Sequence, residues 1–387
     1  MFAYGIFKVI YAPRETLREV AQNPKYIGPV LIMVLFIVAN LSSAYVLVTK
    51  TYVEETLPPS ARLDEWTENA TRWASPTGAP PIENFNDFIA GYYYGNRSIE
   101  FSAESSDKIS VQLQDIGPVN CSSQDGFTKL YLRAKWTSPT YPPNNVSLYL
   151  YSTHSLSNFF YRNVTGEFTN ATANIWNNLT IPLADGDWHG TATANWSEIT
   201  GLMLEFTWNQ TSNIRVLIDG LFFGGVFKPY AESVTSYMAV YALYSFMQFI
   251  IRWVLLGGVI YILTKAFKAK TVWRVMLILA GFALVTMFIQ AAISTAAFST
   301  LPTLKYSFGY MGGVEGEAES AYQKIAEETW LVNLVYSGIQ VAMLMWTVSL
   351  CAIAVRLTTE FSWTTSLLIA FVAYFVAVFI EGFLMQV

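Results

Sequence analysis

Residues Asn195–Phe206 read NWSEITGLMLEF and join a sugar acceptor to an alternating apolar run. The triplet Asn195-Trp196-Ser197 fits the Asn-x-Ser/Thr pattern for N-linked glycans, which belongs on an exterior surface. The alternation that follows predicts a β-strand with one buried face. Such a strand stands out in a chain that is 53% hydrophobic and only 13% charged, because that composition is typical of membrane spans. The sequence therefore predicts two kinds of structure in one chain.

Charge and cysteine content separate a water-facing middle from the rest of the chain. Residues 51–230 hold 10 Lys/Arg and 18 Asp/Glu, a net charge of −8, whereas the remainder holds 13 and 10, a net charge of +3. Cys121 lies in the acidic middle and Cys351 in an apolar run, so we expect no disulfide between them. His154 and His189 add no zinc-type ligand cluster, and we expect no metal and no cofactor.

Five apolar runs are long enough to cross a membrane. The first, Ile27 to Thr49, has 23 residues without a charge, and at a rise of about 1.5 Å per residue it crosses a hydrocarbon core of about 30 Å. The other four lie at about 236–264, 275–297, 329–355 and 362–385. The prediction is a membrane α-helical bundle with its first span in 26–50 and four more in 231–387.

The first 25 residues read as a cytoplasmic amphipathic lead of two short helices. A cleaved signal would instead place one apolar stretch before a small-residue cleavage site. Pro13 suits the first turn of the second helix, and Leu17, Val20 and Ala21 share one of its faces. Either the helix is solvated or this face lies on the cytoplasmic leaflet, and we favour the leaflet.

Lys and Arg near the span ends set the orientation, because they accumulate in cytoplasmic loops. Nine lie on one side: Lys8, Arg14, Arg18, Lys25, Lys265, Lys268, Lys270, Arg274 and Arg356. Four lie on the other: Lys50, Lys228, Lys305 and Lys324. We therefore predict a plasma-membrane protein with a cytoplasmic N-terminus, and with residues 51–230 and the C-terminus extracellular.

The sugar acceptors agree independently with this orientation. Asn40 lies within the first span, where the membrane should shield it. The other nine fall in residues 51–230: Asn69, Asn96, Asn120, Asn145, Asn163, Asn170, Asn178, Asn195 and Asn209. The sequence predicts a glycoprotein whose outer segment carries the sugar.

Short alternating runs fill the outer segment between Ser98 and Val226. They read KISVQLQ, TKLYLRAKW, VSLYLYS, NLTIPL, ITGLMLEF and NIRVLIDGLFF, with turn-forming residues between them. Runs of this kind predict an all-β sandwich. The last two resemble the closing strands of jelly-roll sandwiches in carbohydrate-binding modules and galactose-binding-like domains. The matching residues are Trp196, Ile199, Gly201, Leu202, Val216, Ile218, Asp219, Leu221 and Phe223. The resemblance implies an extracellular jelly roll over residues 51–230.

Three tryptophans are candidates for glycan binding in such a domain. Trp176, Trp188 and Trp208 either stack on sugar rings or serve as core and rim aromatics, and single tryptophans in strands are more often core residues. Asp185 and Asp187, in the run ADGDWHG, provide too few oxygen ligands for a calcium loop. We interpret that run as an ordinary turn, and we expect Asp219 to cap another turn.

The frame around the outer segment resembles the Yip family, the Ypt-interacting protein-like membrane domains. The family's Pro-rich amphipathic lead is matched in IYAPRETLREVAQNPKYIGPV by Pro13, Glu15, Leu17, Val20 and Pro24. The run VAMLMWTVSLCAIAVRLTTEFSWTTSLLIAF is similar to its fourth span, polar turn and fifth span. The resemblance covers residues 1–50 and 231–387 and implies membrane organisation or trafficking partners. The large insertion departs from the family's short first loop.

Polar side chains inside the spans are candidates for a solute pathway, because they are costly at membrane depth unless paired. They include Arg252, Gln248, Gln290 and Gln340. Arg252 is the leading candidate, with Gln290 and Gln340 as partners, while Glu381 is expected to reach the outer face. The alternative is that these groups only form hydrogen bonds between helices and fix their register.

Motifs for phosphate binding, GxSxG hydrolysis and HExxH metalloproteolysis do not occur in the sequence, which predicts a non-enzymatic role. The first hypothesis is a scaffold or accessory subunit of a cell-envelope assembly, with features typical of an archaeal envelope. Its expected partners are the lipid bilayer and other membrane proteins or copies of itself, and not nucleic acid. The alternatives are a small-solute transporter or channel using Arg252, and a surface protein that binds glycans.

Overall fold

The chain forms two compact units in a computed structural model that describes residues 2–59, 64–122, 125–168, 171–230 and 234–385. The helical unit comprises Met1–Thr51, Pro229–Leu304 and Glu327–Val387. The β unit comprises Tyr52–Lys228 and Lys305–Ala326.

The α-helices of the described residues include the two short helices predicted before the first span and cover all five apolar runs, with α7 starting earlier than its run. They are α1 (Phe2–Tyr11), α2 (Pro13–Gln22), α3 (Ile27–Lys50), α4 (Val234–Ala266), α5 (Trp273–Ala283), α6 (Val285–Ser299), α7 (Glu317–Thr358) and α8 (Trp363–Leu384). Five segments are long and apolar enough to cross a membrane, namely α3, α4, α5 with α6, α7 and α8. The five predicted helices are confirmed, and their insertion into a membrane stays a prediction.

Close contact between α3 and α5 depends on two glycines. A Cβ at Gly281 would lie 2.6 Å from Cβ of Pro29, and a Cβ at Gly28 would overlap the ring of Phe282. Because neither residue has a side chain, the two helices approach closely enough to bury Phe282 and Leu279. This packing forms part of the apolar core of the helical unit.

The two N-terminal helices pack against protein. Pro13 occupies the first turn of α2, as predicted. Leu17 and, on α1, Val9 are fully buried in the core of the helical unit. Lys8 of α1 bonds to Glu19 of α2 at 2.7 Å and holds the pair together. The prediction that Leu17 lies on the leaflet is therefore wrong, because the helical unit itself covers that face.

The β unit is built from eleven strands within the described residues. They are β1 (Thr51–Leu57), β2 (Trp73–Ala74), β3 (Ile82–Asn84), β4 (Ser98–Val119), β5 (Lys129–Ser138), β6 (Asn145–Ser152), β7 (Ser155–Asn163), β8 (Asn177–Pro182), β9 (His189–Gly190), β10 (Ile199–Pro229) and β11 (Leu304–Tyr306). Their named pairs are antiparallel. Each alternating run quoted above lies in a strand, so the predicted all-β organisation is confirmed.

Two long strands connect both halves of this large antiparallel sheet. β4 and β10 pair along their length, from Ile199 opposite Val119 to Ile218 opposite Ile99. Their register is irregular between Thr207 and Ile214. On one side of that irregularity the strand order is β2-β4-β10-β6-β7-β9, which we call the first sheet. On the other side β10 pairs with β5, and β5 with β8. Buried side chains of both halves share one apolar core.

Residues 305–326 complete the β unit. Phe308 is 2% exposed and its ring lies 4.5 Å from that of Phe222. Glu317 at the start of α7 accepts a hydrogen bond of 2.5 Å from Arg133, which is fully buried. The acidic composition of the run GGVEGEAESAYQKIAEETW predicts a solvated helix. That prediction is wrong for Glu317, because its carboxylate neutralises a buried guanidinium.

Candidate functional site

The three tryptophans predicted to bind glycans do not form one platform. Trp208 is 2% exposed, lies in the apolar core and donates its indole N–H to the Tyr141 carbonyl. The glycan-binding hypothesis is wrong for this residue, because neither ring face is accessible. Trp188 packs against Trp196 at 5.4 Å. Trp176 belongs to a different apolar cluster.

A row of side chains instead crosses the first sheet on the surface opposite the core. Backbone pairing places Met203 of β10 directly between Gln112 of β4 and Tyr149 of β6, and Tyr149 opposite Tyr161 of β7. Neighbouring strands lie about 4.8 Å apart, so the row is about 14 Å long. The ring centroids of Tyr149 and Tyr161 are 5.1 Å apart.

A second row runs parallel to the first. Its members are Gln114, Gly201, Tyr151 and Phe159. We call these two rows together the sheet face. Gly201 contributes no side chain in the middle of its row, and a cavity of about 160 Å³ lies there, lined in part by Tyr151 and Gln114.

Gln112 lies in the wall of this cavity with an unsatisfied amide. The residue is 5% exposed, and its Nε2 atom has no hydrogen-bond partner among the described residues. A buried donor without an acceptor costs about 1–3 kcal/mol. A ligand oxygen in the cavity would remove that cost, so the amide favours a ligand that accepts hydrogen bonds.

A strained turn places His154 at the rim of the same cavity. Thr153 and His154 join β6 to β7 with φ angles of 57° and 53°, values that are uncommon outside glycine and strained for a β-branched residue such as Thr153. The turn is held by β10 and the residues before it, because Thr153 N–H donates to the Glu198 carbonyl and His154 N–H to Thr200 Oγ1, both at 3.1 Å. The imidazole of His154 lies 4.0 Å from the carboxylate of Asp115, and both side chains are largely exposed.

The chemistry of the sheet face suits sugars. Aromatic side chains offer apolar rings with a polar tip, and the glutamine amides both donate and accept hydrogen bonds. The sequence predictions above name only tryptophans as aromatic ligands and therefore miss these residues. The signal was present in KISVQLQ and VSLYLYS, where Gln112, Gln114, Tyr149 and Tyr151 alternate with core residues.

The predicted sugar acceptors lie on the surface of the β unit. Exposed side chains occur at Asn69, Asn96, Asn120, Asn163, Asn178, Asn195 and Asn209. Asn145 is half-buried, and Asn170 lies outside the described residues. Four of the side-chain oxygens accept the backbone N–H two residues later, at Asn69, Asn120, Asn163 and Asn195. At Asn163 the amide nitrogen also donates to Asn145 Oδ1 at 2.7 Å.

The acidic turn before His189 is held by Arg162. Its guanidinium contacts Asp185 at 2.8 Å and Asp187 at 3.4 Å. The described residues contain no group of three or more His, Cys, Asp or Glu side chains that could hold a metal ion. The interpretation of ADGDWHG as a structural turn agrees with these contacts.

Two carboxyl groups are buried together in the β unit. The hydroxyl of Thr67 bonds to both Asp64 and Asp219. Burial raises the pKa of the Asp64 carboxyl to about 7, against hydrogen bonds from Thr67 and the Leu221 N–H that lower it. Burial and the nearby Asp64 charge also raise the pKa of Asp219 well above its usual range. Asp219 accepts the Gly220 N–H, but it also binds the distant Ile89 N–H, which the turn-cap prediction missed.

In the helical unit, Arg252 is paired with Glu381. Its Nε and Nη2 atoms donate to the two carboxylate oxygens at 2.5 and 2.7 Å. From the sequence, Gln290 and Gln340 are the predicted partners of Arg252, and Glu381 is predicted to reach the outer face. Both assignments are wrong, because Glu381 is 4% exposed and takes up the guanidinium.

The four polar candidates from the predicted spans nevertheless share one location. Arg252, Gln248, Gln290 and Gln340 all line a cavity of about 500 Å³ inside the helical unit. They come from α4, α6 and α7, so their convergence is a property of the fold and not of sequence proximity.

Comparison with known proteins gives similarity only among solved structures. No protein family matches the chain, and no curated protein does. The family 11 carbohydrate-binding module from Clostridium thermocellum, in complex with a beta-1,3-1,4-mixed-linked tetrasaccharide, is similar at 11% identity over 44% of this chain and 94% of that chain, with a TM-score of 0.27. The C-terminal family 22 module of Clostridium thermocellum Xyn10B is similar at 13% identity over 43% and 92%, with a TM-score of 0.28. A beta-1,2-glucanase from Parabacteroides distasonis is similar at 11% identity over 42% and 24%, with a TM-score of 0.30.

Proposed function

We propose that this chain is a non-enzymatic integral membrane glycoprotein whose β unit binds glycans outside the cell through the sheet face. Five apolar helices support a membrane location, and the Lys/Arg distribution supports an extracellular β unit. Exposed Asn-x-Ser/Thr acceptors over the β unit support the same orientation.

The observation that carries the glycan proposal is the row from Gln112 to Tyr161. Its unsatisfied amide needs an acceptor oxygen, and its two tyrosine rings lie beyond Met203 on the neighbouring strands β6 and β7. A sugar supplies both complements, since hydroxyl oxygens accept hydrogen bonds and the C–H surface of the ring packs on an aromatic face. A length of about 14 Å accommodates more than one sugar residue along the row.

The proposal is tested by placing the purified full-length chain, in detergent, on a broad glycan array. Any glycan that binds is then titrated against Tyr149→Ala, Gln112→Leu and Tyr92→Ala. Tyr92 is the matched control, because it is an aromatic residue of the β unit that is 76% exposed and lies outside the sheet face. We expect the first two variants to bind about tenfold or more weakly, as residues at the centre of an interface do.

Binding that is equally lost in Tyr92→Ala would contradict the assignment to the sheet face. An array without any bound glycan would contradict glycan recognition and favour a β unit that contacts protein.

The helical unit would then anchor the β unit and recruit partners as a scaffold or accessory subunit. The resemblance of residues 1–50 and 231–387 to the Yip family supports membrane organisation and rests on the motif residues alone. We expect the chain to co-purify in mild detergent with another membrane protein or as a homo-oligomer. A monodisperse monomer by light scattering, after correction for detergent and sugar, would contradict this part of the proposal.

Small-solute transport is a second candidate function. The convergence of Arg252 and three glutamines on one cavity favours it. Liposomes containing the chain would show solute flux that Arg252→Ala abolishes. Flux that Arg252→Ala leaves unchanged would show that Arg252 takes no part in transport.

A further inference from the structure

The polar cavity of the helical unit lies toward one end of its helices. It is lined by the C-terminal half of α3, from Asn40, and by the N-terminal half of α4, from Tyr241. α6 contributes Ser294, α7 contributes Tyr336 and α8 contributes Tyr374. In the predicted orientation these helix halves form the extracellular half of the bundle. Five helices therefore line a space of about 500 Å³, which is within the usual range for small-molecule sites.

Formal charge in this cavity is balanced. Arg252 lines it, and both oxygens of Glu381 neutralise the guanidinium. The side chains of the pair are 15% and 6% exposed. A charged ligand would lose its hydration without gaining an opposite charge that is free to pair with it. The cavity therefore disfavours anions and cations.

The other polar groups of the lining can both donate and accept hydrogen bonds. They are tyrosine and serine hydroxyls and asparagine and glutamine amides. Ser294 is 3% exposed, and its hydroxyl has no partner within the described parts of the chain. The remaining wall is apolar and includes the aromatic side chains of Phe36, Phe298 and Phe375.

We propose that this cavity is a binding site for a small uncharged polyol. Hydroxyl groups match a lining that both donates and accepts, and the carbon skeleton of a polyol packs against the aromatic wall. The Ser294 hydroxyl forms a hydrogen bond with one ligand hydroxyl and thereby gains a partner. The site is separate from the sheet face, and it holds its ligand whether or not the ligand crosses the membrane.

The test introduces a cysteine at the unsatisfied hydroxyl. Ser294→Cys in the full-length chain, reconstituted in lipid nanodiscs, is treated with three methanethiosulfonates that carry a 2-hydroxyethyl, a 2-sulfonatoethyl or a 2-(trimethylammonium)ethyl group. The unsubstituted chain gives the background, since Cys121 and Cys351 are buried. We expect the neutral reagent to react about tenfold or more faster than either charged one.

Two further cysteines control for access. Ser366→Cys replaces a hydroxyl that is also buried and unsatisfied but does not line the cavity. Phe379→Cys lies on α8 at a position that is 79% exposed and would face lipid. We expect neither of these two variants to show the preference for the neutral reagent that Ser294→Cys shows. If Ser294→Cys does not fold, Gln290→Cys replaces it, because Gln290 lines the same cavity.

Protection by ligand completes the test. We expect myo-inositol to slow the modification of Ser294→Cys, and gluconate, a polyol of similar size with one negative charge, to leave it unchanged. Equal reaction with all three reagents, or no reaction with any, would overturn the site. Equal protection by gluconate and myo-inositol would overturn the ligand class. Absence of protection by either compound would overturn it as well. These outcomes are independent of the glycan array and of the flux assay.

Discussion

Arg252 and Glu381 join α4 to α8 through two hydrogen bonds of 2.5 and 2.7 Å. The geometry is bidentate, with the planar guanidinium facing both carboxylate oxygens, which is the strongest form of such a pair. Since both side chains are largely buried, each charge depends on the other for the interactions that water would otherwise supply.

Loss of one partner is expected to destabilise the helical unit strongly. Arg252→Met or Glu381→Met leaves an uncompensated buried charge, which costs about 3–5 kcal/mol. The double variant removes both charges and is expected to recover most of this loss. Unfolding in detergent, followed by the change in Trp fluorescence, measures all three variants. A double variant as unstable as the sum of the single variants would show that the two charges do not depend on each other.

N-glycosylation is expected at Asn120, Asn145, Asn163, Asn178 and Asn195, and not at Asn40. The amide of Asn40 donates to Ser245 at 2.8 Å within the helical unit, so its nitrogen is already engaged inside the protein. Glycopeptide mass spectrometry of the chain from a glycosylating host decides the pattern. Sugar on Asn40 would contradict the membrane burial of the first span. Unmodified peptides at all five other positions would contradict the extracellular assignment of residues 51–230.

The stability of the β unit is expected to fall as pH rises from about 4 to about 7. The folded state raises the pKa of Asp64 from 3.8 to about 7, so it binds this proton more tightly than the unfolded chain does. The stabilisation from that proton is complete below about pH 4 and is lost as pH rises through about 7. Asp219, with its raised pKa, acts in the same direction.

Asp64→Asn tests this dependence, because the amide keeps the shape of the carboxyl and carries no charge. We expect the melting temperature of the β unit to depend less on pH in this variant than in the unsubstituted chain. Asp107→Asn, at an exposed position, is the control and should leave the dependence unchanged. Glu68, whose charge raises the pKa of Asp64, and Arg133, which lowers it, stay in place in both variants. A pH dependence that persists undiminished in Asp64→Asn would assign it to other groups.

The elements of this fold could be predicted from the sequence because their signals are local. Twenty or more apolar residues indicate a long helix, and alternation in runs such as VSLYLYS indicates a strand, whatever the rest of the chain does. Turn residues between the runs separated the strands for the same reason. Nothing in these local patterns states which strands pair or which helix faces meet.

The candidate site residues are brought together by contacts between segments that are distant in sequence, and local patterns do not predict such contacts. Glu381 is 129 positions from Arg252, and helix rotation, which sequence spacing does not specify across a loop, decides that they meet. The row through Gln112, Met203 and Tyr149 depends on pairing register between three strands that are distant in sequence. The four polar residues of the spans were identified individually, because each is exceptional in its own helix.

Residues 305–326 also pack through long-range contacts that local sequence patterns do not reveal. Phe308 is 2% exposed, and its ring lies 4.5 Å from Phe222 and 5.7 Å from Tyr131. Phe308→Ala should leave a cavity there and destabilise the β unit by about 3–5 kcal/mol. Phe85→Ala removes an equal side chain that is 56% exposed, and it should cost far less.

Thermal unfolding of the full-length variants, read from β-sheet circular dichroism, makes this comparison. A segment that only linked two spans would tolerate Phe308→Ala as well as Phe85→Ala. Equal melting temperatures for the two variants would therefore show that residues 305–326 are not part of the folded β unit. A large difference would mean that the β unit needs a segment encoded about 80 residues after its last long strand, because Phe308 closes the apolar cluster around Phe222.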